Sequence, residues 1–178
     1  MTADPAARSP LAGRAGELAA VGAAEVAFPA QVSLRLDPAE AARLPFALPP
    51  APNTWSRGDG RETLWLGPDE WLVVAEPGSA RVLVEELERA LDGLHRSVVD
   101  VSANRAVLEL AGADRFELLT QGCRLDLHPR AWRDGSCAQT LLGRVPVLLQ
   151  ERDHATRIFV RASLAAHLAD WLVAAGTG

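Results

Sequence analysis

The sequence contains no lysine and no tyrosine, and it has only two cysteines and one methionine among its 178 residues. All 18 basic residues are therefore arginines, which fits either selection for arginine-based ion pairs or the codon bias of a GC-rich genome. The net charge of −5 argues against general nucleic-acid binding, because such binding relies on basic side chains that neutralise phosphates. We therefore expect no nucleic acid among the partners of this chain.

The two cysteines, Cys123 and Cys137, have neither a CxxC partner nor a histidine at ligand spacing. This pattern excludes a disulfide framework and a zinc motif. We expect two free, mostly buried thiols in a reducing compartment, although a bridge between the two stays open. No apolar run approaches the roughly 18 to 20 residues that span a bilayer, and the N-terminus is a poor secretory signal. We therefore expect a cytoplasmic protein with no membrane segment.

Several motifs of common enzyme classes are also absent. The sequence has no P-loop, no GxGxxG after a strand, no HExxH and no GxSxG. These absences together argue against the usual nucleotide-binding, zinc-protease and hydrolase classes. With 48% hydrophobic and 23% charged residues, the chain can nevertheless build an ordinary globular core.

Alternating apolar and polar residues predict several strands with one buried face. Residues 61–66 and 71–75 are expected to form a hairpin, because a Gly-Pro-Asp turn joins them. Pro146 lacks a ladder donor, so its strand should lie at a sheet edge or contain a bulge. The other predicted strands are residues 31–36, 98–101, 105–110, 138–142, 145–150 and 155–161.

Helical spacing of apolar residues predicts three helices. The first begins at an N-cap Ser79 and continues through Leu94, and the last follows Ser163. The helix between them should end at Gly122, since glycine adopts the left-handed conformation at helix ends at low cost. The order of elements predicts an α+β fold of mainly antiparallel sheet, with helices packed on one face.

Composition divides the chain into an arm and a domain. Residues 1–25 are rich in Ala, Gly and Pro, which predicts a flexible N-terminal arm. This arm is either a frayed terminus or a segment that becomes ordered on a partner subunit. The domain then covers residues 26–176, and it could consist of two subdomains, about 26–122 and 123–176.

A proline-rich loop is predicted at residues 45–60, and loops of this length are usually functional or mobile. Trp55 lies in this loop. It is either an interface anchor, as exposed tryptophans often are, or a lid that folds back on the core of its own chain.

Asp126, His128 and Arg130 are the most prominent polar cluster of the sequence. They alternate with apolar residues, so in an extended segment their side chains share one face. A carboxylate beside an imidazole can orient it for acid–base chemistry. The alternative is a structural knot in which Asp126 accepts hydrogen bonds from its neighbours or from backbone amides. We favour the structural interpretation and expect no catalytic, cofactor-binding or metal-binding residue in this chain.

Four stretches, in order along the chain, carry a family resemblance. They are AFPAQVSLRLDP at 27–38, LGPDEWLVV at 66–74, LLTQGCRLDLHPRAW at 118–132 and GSCAQTLLGRVPVLL at 135–149. These stretches closely resemble the gamma subunit family of heterotetrameric sarcosine oxidases. The resemblance covers roughly residues 24–174.

The resemblance implies a fold similar to the folate-binding aminomethyltransferases of glycine cleavage. It also implies a chain that is not catalytic by itself and binds no cofactor. Its partners would be the alpha, beta and delta subunits of sarcosine oxidase, which would carry FAD, FMN, NAD, tetrahydrofolate and zinc. The gamma chain would stabilise the flavin- and folate-carrying subunits during the oxidative demethylation of sarcosine. Trp55, Asp126, His128, Arg130 and Trp132 are then the candidate partner-contact or structural signature residues.

An enzymatic alternative remains open at this point. A free-standing folate-dependent one-carbon transferase or folate-binding protein would share the same fold class. It would need a deep apolar pocket with a convergent carboxylate, for which Asp100 and Asp126 are the candidates.

Overall fold

A computed structural model describes residues 8–177 of the chain, which divide into two compact units. Among these residues, the first unit contains residues 28–102 and the second contains residues 8–27 and 103–177. The predicted boundary near residue 122 differs from this division, because residues 8–27 belong to the second unit and the chain returns to that unit at residue 103. No helix of the described part of the chain is long and apolar enough to cross a membrane.

The described residues form ten strands and four α-helices. The strands are β1 (Ala23–Val26), β2 (Ala30–Leu36), β3 (Trp55–Gly58), β4 (Arg61–Gly67), β5 (Glu70–Ala75), β6 (Arg96–Asp100), β7 (Arg105–Ala111), β8 (Cys137–Leu142), β9 (Val145–Arg152) and β10 (Ala155–Arg161). The α-helices are α1 (Ala15–Ala19), α2 (Ala80–Ala90), α3 (Arg115–Thr120) and α4 (Ala165–Gly176). Short 3-10 helices cover Pro38–Arg43 and Ala162–Leu164.

The first unit is an antiparallel sheet with strand order β3-β4-β5-β2-β6. Val32 and Leu34 of β2 pack with Leu83, Leu87 and Leu91 at the α2 side of the sheet. These leucines recur every four residues, which places them on one helix face. Each fully buried leucine side chain contributes about 1.5–3 kcal/mol through the water-exposed area it removes.

The helix α2 begins after Ser79 as predicted, but it ends earlier than predicted. It ends at Ala90 rather than continuing through Leu94, because residues 91–94 form a turn. Ser79 stands at the N-cap position, but its hydroxyl donates to the Glu76 carbonyl at 2.7 Å and does not accept a helix amide. The predicted side-chain cap is therefore absent at this helix end.

The second unit is an antiparallel sheet with strand order β1-β7-β10-β9-β8. One face packs against helix residues such as Leu18, Leu119, Leu168 and Leu172, which are at most 1% exposed. The expected α+β class with antiparallel sheets is thus confirmed in both units.

Pro146 lies in β9, which is an inner strand and not a sheet edge. The register of β9 with β8 also runs without a bulge through the pair Pro146–Leu141. The proline is tolerated because the β9–β10 ladder begins only at Val147, one residue after Pro146. A proline at this position therefore removes no ladder donor.

Residues 8–25 of the predicted flexible arm contain α1 and part of β1, whereas residues 1–7 lie outside the described part. Leu11 and Leu18 are 2% and 1% exposed in the core of the second unit. Arg14 donates to Asp170 at 2.6 Å and to the Ala166 carbonyl at 2.9 Å, which ties the segment to α4. Hydrogen bonds with Glu17 and then Asp170 raise the pKa of Arg14 above its usual value. This segment is ordered because long-range packing compensates for its small side chains.

The predicted loop at residues 45–60 contains the edge strand β3 and is attached to the first unit at several points. Phe46 is 9% exposed, and the Arg61 guanidinium lies 5.4 Å from the centre of its ring. Arg61 also donates to both carboxylate oxygens of Glu86 on α2, at 3.2 and 2.6 Å. The Ser56 hydroxyl donates to the Ala47 carbonyl at 3.2 Å. These contacts fold the loop back onto its own sheet.

Gly122 follows α3 as expected, but it is not in the left-handed conformation. A Cβ atom at Gly122 would lie 2.8 Å from the Gly143 backbone nitrogen and even closer to the Trp171 ring. The absence of a side chain, and not a positive φ, is therefore what this position requires.

Candidate functional site

Residues 126–132 form a polar turn and not an extended segment. The Asp126 carboxylate accepts the backbone N–H of His128 at 3.0 Å, and His128 Nδ1 accepts the backbone N–H of Arg130 at 3.2 Å. The His128 carbonyl accepts the N–H groups of Ala131 and Trp132 at 2.8 and 2.9 Å. The three polar side chains therefore do not share the face that strand alternation would give them.

These hydrogen bonds assign structural work to Asp126 and His128. The carboxylate binds the histidine's backbone amide rather than its ring, so it does not orient the imidazole for proton transfer. Asp126, His128 and Arg130 are all exposed. The arrangement matches the structural interpretation of this cluster.

Trp132 ends the turn and is buried, with 6% of its surface exposed. Its indole Nε1 donates to Glu151 Oε2 at 2.9 Å, and the Thr156 hydroxyl donates to the same oxygen at 2.5 Å. Arg115 Nη2 donates to Glu151 Oε1 at 2.7 Å, with side chains only 12% and 3% exposed. Trp132 is therefore an internal anchor that fixes the turn onto β9 and β10.

Trp55 lies in the edge strand β3 of the first unit and is half-buried. The guanidinium of Arg57 lies 5.2 Å from the centre of its ring, within cation–π range. Arg57 also donates to Glu62 on the neighbouring strand at 2.9 Å. The tryptophan thus lies beside a charged pair at the edge of the sheet.

The carboxylates considered for a folate pocket both lie at the surface. Asp100 is exposed, and it accepts the Ser102 hydroxyl at 2.6 Å and the Ser102 N–H at 2.9 Å. Asp126 is also exposed, and its carboxylate accepts the backbone N–H of His128 within the turn. Within residues 8–177, no three His, Cys, Asp or Glu side chains gather into a metal-binding group. Cys123 and Cys137 are buried and are not joined by a disulfide bond, as predicted for these thiols.

The first unit also contains an open groove of about 660 Å³ that the sequence did not predict. It lies where β2, β5 and β6 meet their connections, so no local motif could reveal it. Its wall contains the ion pair between Arg35 and Asp69, at 3.0 Å. Arg96 also lines the groove, and it forms an ion pair with Glu88, which lies outside the lining. The lining residues are Arg35, Leu36, Asp37, Pro38, Asp69, His95, Arg96 and Ser97.

The two antiparallel sheets with helices define an aminomethyltransferase-like fold. Aminomethyltransferase T of the glycine cleavage system from Bartonella henselae superposes with a TM-score of 0.65 over 92% of this chain and 49% of that one, at 18% identity. The sequence model of the sarcosine oxidase, gamma subunit family matches residues 22–178. This chain belongs to the sarcosine oxidase gamma subunit family.

Curated and solved relatives agree with this assignment. Sarcosine oxidase subunit gamma of Corynebacterium sp. strain U-96 is 40% identical, with 95% of this chain and 87% of that protein covered. The corresponding subunit of an Arthrobacter species is 39% identical, with coverages of 86% and 78%. A chain of the heterotetrameric sarcosine oxidase from Corynebacterium sp. U-96, in complex with pyrrole 2-carboxylate, superposes with a TM-score of 0.87 at 36% identity. That superposition covers 96% of this chain and 95% of the other.

Proposed function

We propose that this chain is the gamma subunit of a heterotetrameric sarcosine oxidase and that it stabilises the complex without catalysing the reaction itself. The observation that carries the proposal is the end-to-end likeness to a chain of the Corynebacterium heterotetramer, at a TM-score of 0.87 and 36% identity. The hydrogen bonding of the Asp126 turn supports a structural role, because its polar groups serve backbone amides.

The partners in this proposal are the alpha, beta and delta subunits. They carry FAD, FMN, NAD, tetrahydrofolate and zinc, and together they demethylate sarcosine with oxygen in the cytoplasm. The gamma subunit contributes buried surface, and a specific interface typically buries about 800 Å² on each partner. It holds the larger subunits in the arrangement that the reaction needs.

Exposed residues of the candidate set are the proposed partner contacts. Arg130 combines an exposed side chain with a backbone fixed by its bond to His128 Nδ1. A fixed backbone lowers the ordering cost of binding, and arginine is a frequent interface anchor. Trp55 on β3 is half-buried, and its backbone is fixed by the pairing of β3 with β4. Trp132 supports the contact from inside by holding the turn.

The function is tested by co-expression with and without the chains encoded beside it. We expect the chain to co-purify with flavin-containing subunits in equal amounts, and only the assembled complex to oxidise sarcosine. The isolated chain should neither oxidise sarcosine nor bind tetrahydrofolate. Turnover by the isolated chain, or its micromolar affinity for tetrahydrofolate, would instead establish the one-carbon transferase.

Arg130→Glu is expected to weaken association with the partner subunits at least about tenfold, because it reverses a charge at a proposed contact. The free energy of unfolding of the isolated chain should change by less than about 0.5 kcal/mol, as is usual for an exposed side chain. Arg43→Glu, at an exposed position of the first unit, makes the same charge change as a control. Equal affinities of the two variants, measured by titration with the partner subunits, would remove Arg130 from the interface.

A further inference from the structure

The turn that joins β8 and β9 contains an arginine with an unfavourable backbone conformation. Gly143 and Arg144 both have positive φ angles, of 56° and 69°. Two-residue hairpin turns often need this geometry, and glycine or asparagine usually supplies it. Arginine has a Cβ atom, so the left-handed conformation costs free energy that glycine would not lose. Backbone strain of this kind is concentrated at functional positions, which makes the Arg144 side chain the feature to explain.

The folded chain gives this side chain no partner. Arg144 is exposed, and within residues 8–177 its guanidinium forms no hydrogen bond or ion pair. Arg115, Arg152 and Arg157 of the same unit differ, because each of them bonds to a glutamate. A carboxylate for Arg144 would therefore have to come from another molecule.

The segment that follows α3 is tied to the same turn. The Gly143 N–H donates to the Gly122 carbonyl at 3.2 Å, and Cys123 forms an isolated antiparallel bridge with Leu142. A Cβ atom at Gly143 would lie 2.7 Å from the Trp171 ring, so the ring packs directly against the turn. These contacts fix the backbone of the turn and of the neighbouring segment.

This segment brings a second free arginine to the hairpin. Arg124 follows the bridge residue Cys123, so it lies beside Leu141 at the end of β8. Arg124 is exposed, and its guanidinium likewise has no hydrogen-bond or ion-pair partner in the described part of the chain. The end of the hairpin thus carries two guanidinium groups without acceptors.

An apolar pair accompanies the two arginines. Leu141 of β8 lies directly opposite Pro146 of β9, and both are exposed, Leu141 to 48%. The adjacent pair, Leu142 and Val145, is at most 3% exposed and faces the core of the unit. Because side chains alternate along a strand, Leu141 and Pro146 share the opposite face. We call Arg124, Leu141, Arg144 and Pro146 the hairpin patch.

The chemistry of the hairpin patch indicates what it would bind. Arginine pairs with carboxylates through strong, charge-assisted hydrogen bonds. The nearest carboxylate along the chain, that of Asp126, already accepts the backbone N–H of His128. Arginines around an apolar centre are also typical of protein interfaces. The hairpin patch is therefore complementary to an acidic segment that includes an apolar side chain.

We propose that the hairpin patch docks an acidic segment of a larger subunit of the complex. Carboxylates of that segment bond to Arg124 and Arg144, and an apolar side chain covers Leu141 and Pro146. The fixed backbone of the turn lowers the ordering cost of this contact. The inference rests on the proposed function, because it names the surface and the partner chemistry through which the gamma subunit assembles.

The test compares Arg144→Gly with Arg144→Lys in the full chain, titrated with the partner subunits. Glycine removes the backbone strain together with the charge, so the melting temperature should stay at or above the wild-type value. Its association at low salt should nevertheless be at least about fivefold weaker, because an interface charge is lost. Lysine keeps the charge and the strained backbone, and we expect it to restore association to within about threefold of the wild type. A merely structural role would not separate stability from association in this way.

Salt dependence supplies the second readout. Wild-type association should weaken at least about fivefold between about 0.05 and 0.5 M NaCl, because salt screens exposed charges. The double variant Arg124→Gln, Arg144→Gly should lose most of this dependence. Wild-type affinity of Arg144→Gly, or an unchanged salt dependence of the double variant, would overturn the acidic docking site and leave the gamma-subunit function in place. Failure of the wild-type chain to assemble at all would overturn both.

Discussion

Replacing Glu151 with alanine is expected to lower the free energy of unfolding by about 3–5 kcal/mol, the usual cost of removing one partner of a buried ion pair. The Glu151 side chain is only 3% exposed and is bonded to Arg115, Trp132 and Thr156. Its removal leaves a guanidinium, an indole N–H and a hydroxyl buried without their acceptor. Urea denaturation of the purified chain measures the loss.

The Asp126 turn should loosen in the same variant. Trp132 holds the end of that turn through its bond to Glu151, so Glu151→Ala removes the anchor under Arg130 as well. Glu151→Gln keeps the side-chain volume and one acceptor oxygen but replaces the other with an NH2 donor, so we expect it to destabilise the chain less than alanine does. The order of stabilities should therefore be wild type, then Gln, then Ala.

Glu109→Ala is the matched control for this prediction. Glu109 also accepts from two arginines, Arg152 at 3.3 Å and Arg157 at 3.0 Å, but its side chain is 35% exposed. Water can replace these contacts, so the expected loss is below about 1 kcal/mol. Similar losses for Glu109→Ala and Glu151→Ala would contradict the argument that burial decides the cost.

Gly122→Ala is expected to destabilise the chain by about 3 kcal/mol, at the upper end of the cost of overpacking. The new Cβ would lie 2.8 Å from the Gly143 backbone nitrogen and closer still to the Trp171 ring. The Gly143 N–H donates to the Gly122 carbonyl at 3.2 Å, so the backbone on both sides is tied in place. Neither the ring nor the turn can move without losing contacts, and thermal denaturation should show the loss.

Two further variants check this explanation. Gly16→Ala adds a methyl group where nothing lies within 4 Å, and it should raise the free energy of unfolding by about 0.5 kcal/mol, since alanine favours the helix. Trp171→Ala removes the obstructing ring. The Gly122→Ala and Trp171→Ala changes should then be non-additive by about 1 kcal/mol or more. Additive losses would show that the ring is not the obstacle.

Local sequence pattern was sufficient for most of the sheet. The strands β2, β7 and β10 alternate strongly between apolar and polar residues, and the structure places them within one residue of the predicted bounds. The strand β1 was missed because Ala-Ala-Glu-Val has too little apolar surface to signal burial. The strand β3 was missed because prolines and glycines surround it. The strand β1 is fixed by its pairing with the distant strand β7, and β3 is fixed by its pairing with the next strand, β4.

The candidate site depended more on contacts between distant residues. The family resemblance singled out residues 126–132 as partner contacts or structural signature residues, but it could not show that Trp132 is buried and bonded to Glu151, 19 residues further on. The Arg115–Glu151 pair spans 36 residues and leaves no local pattern. Gly122 was predicted at the right place but for the wrong reason. A side chain there would clash with Trp171, which lies 49 positions away, so no local pattern could reveal this requirement.

The strand β6 (Arg96–Asp100) is the outermost strand of the sheet in the first unit, and this position has a consequence for how the chain is produced. The free edge of an outer strand can pair with the same edge of another copy, which leads to self-association and aggregation. Gamma chains synthesised in excess of the other subunits are then the copies most prone to self-association. Balanced synthesis of the subunits would keep the concentration of unassembled copies low and the chain available for assembly.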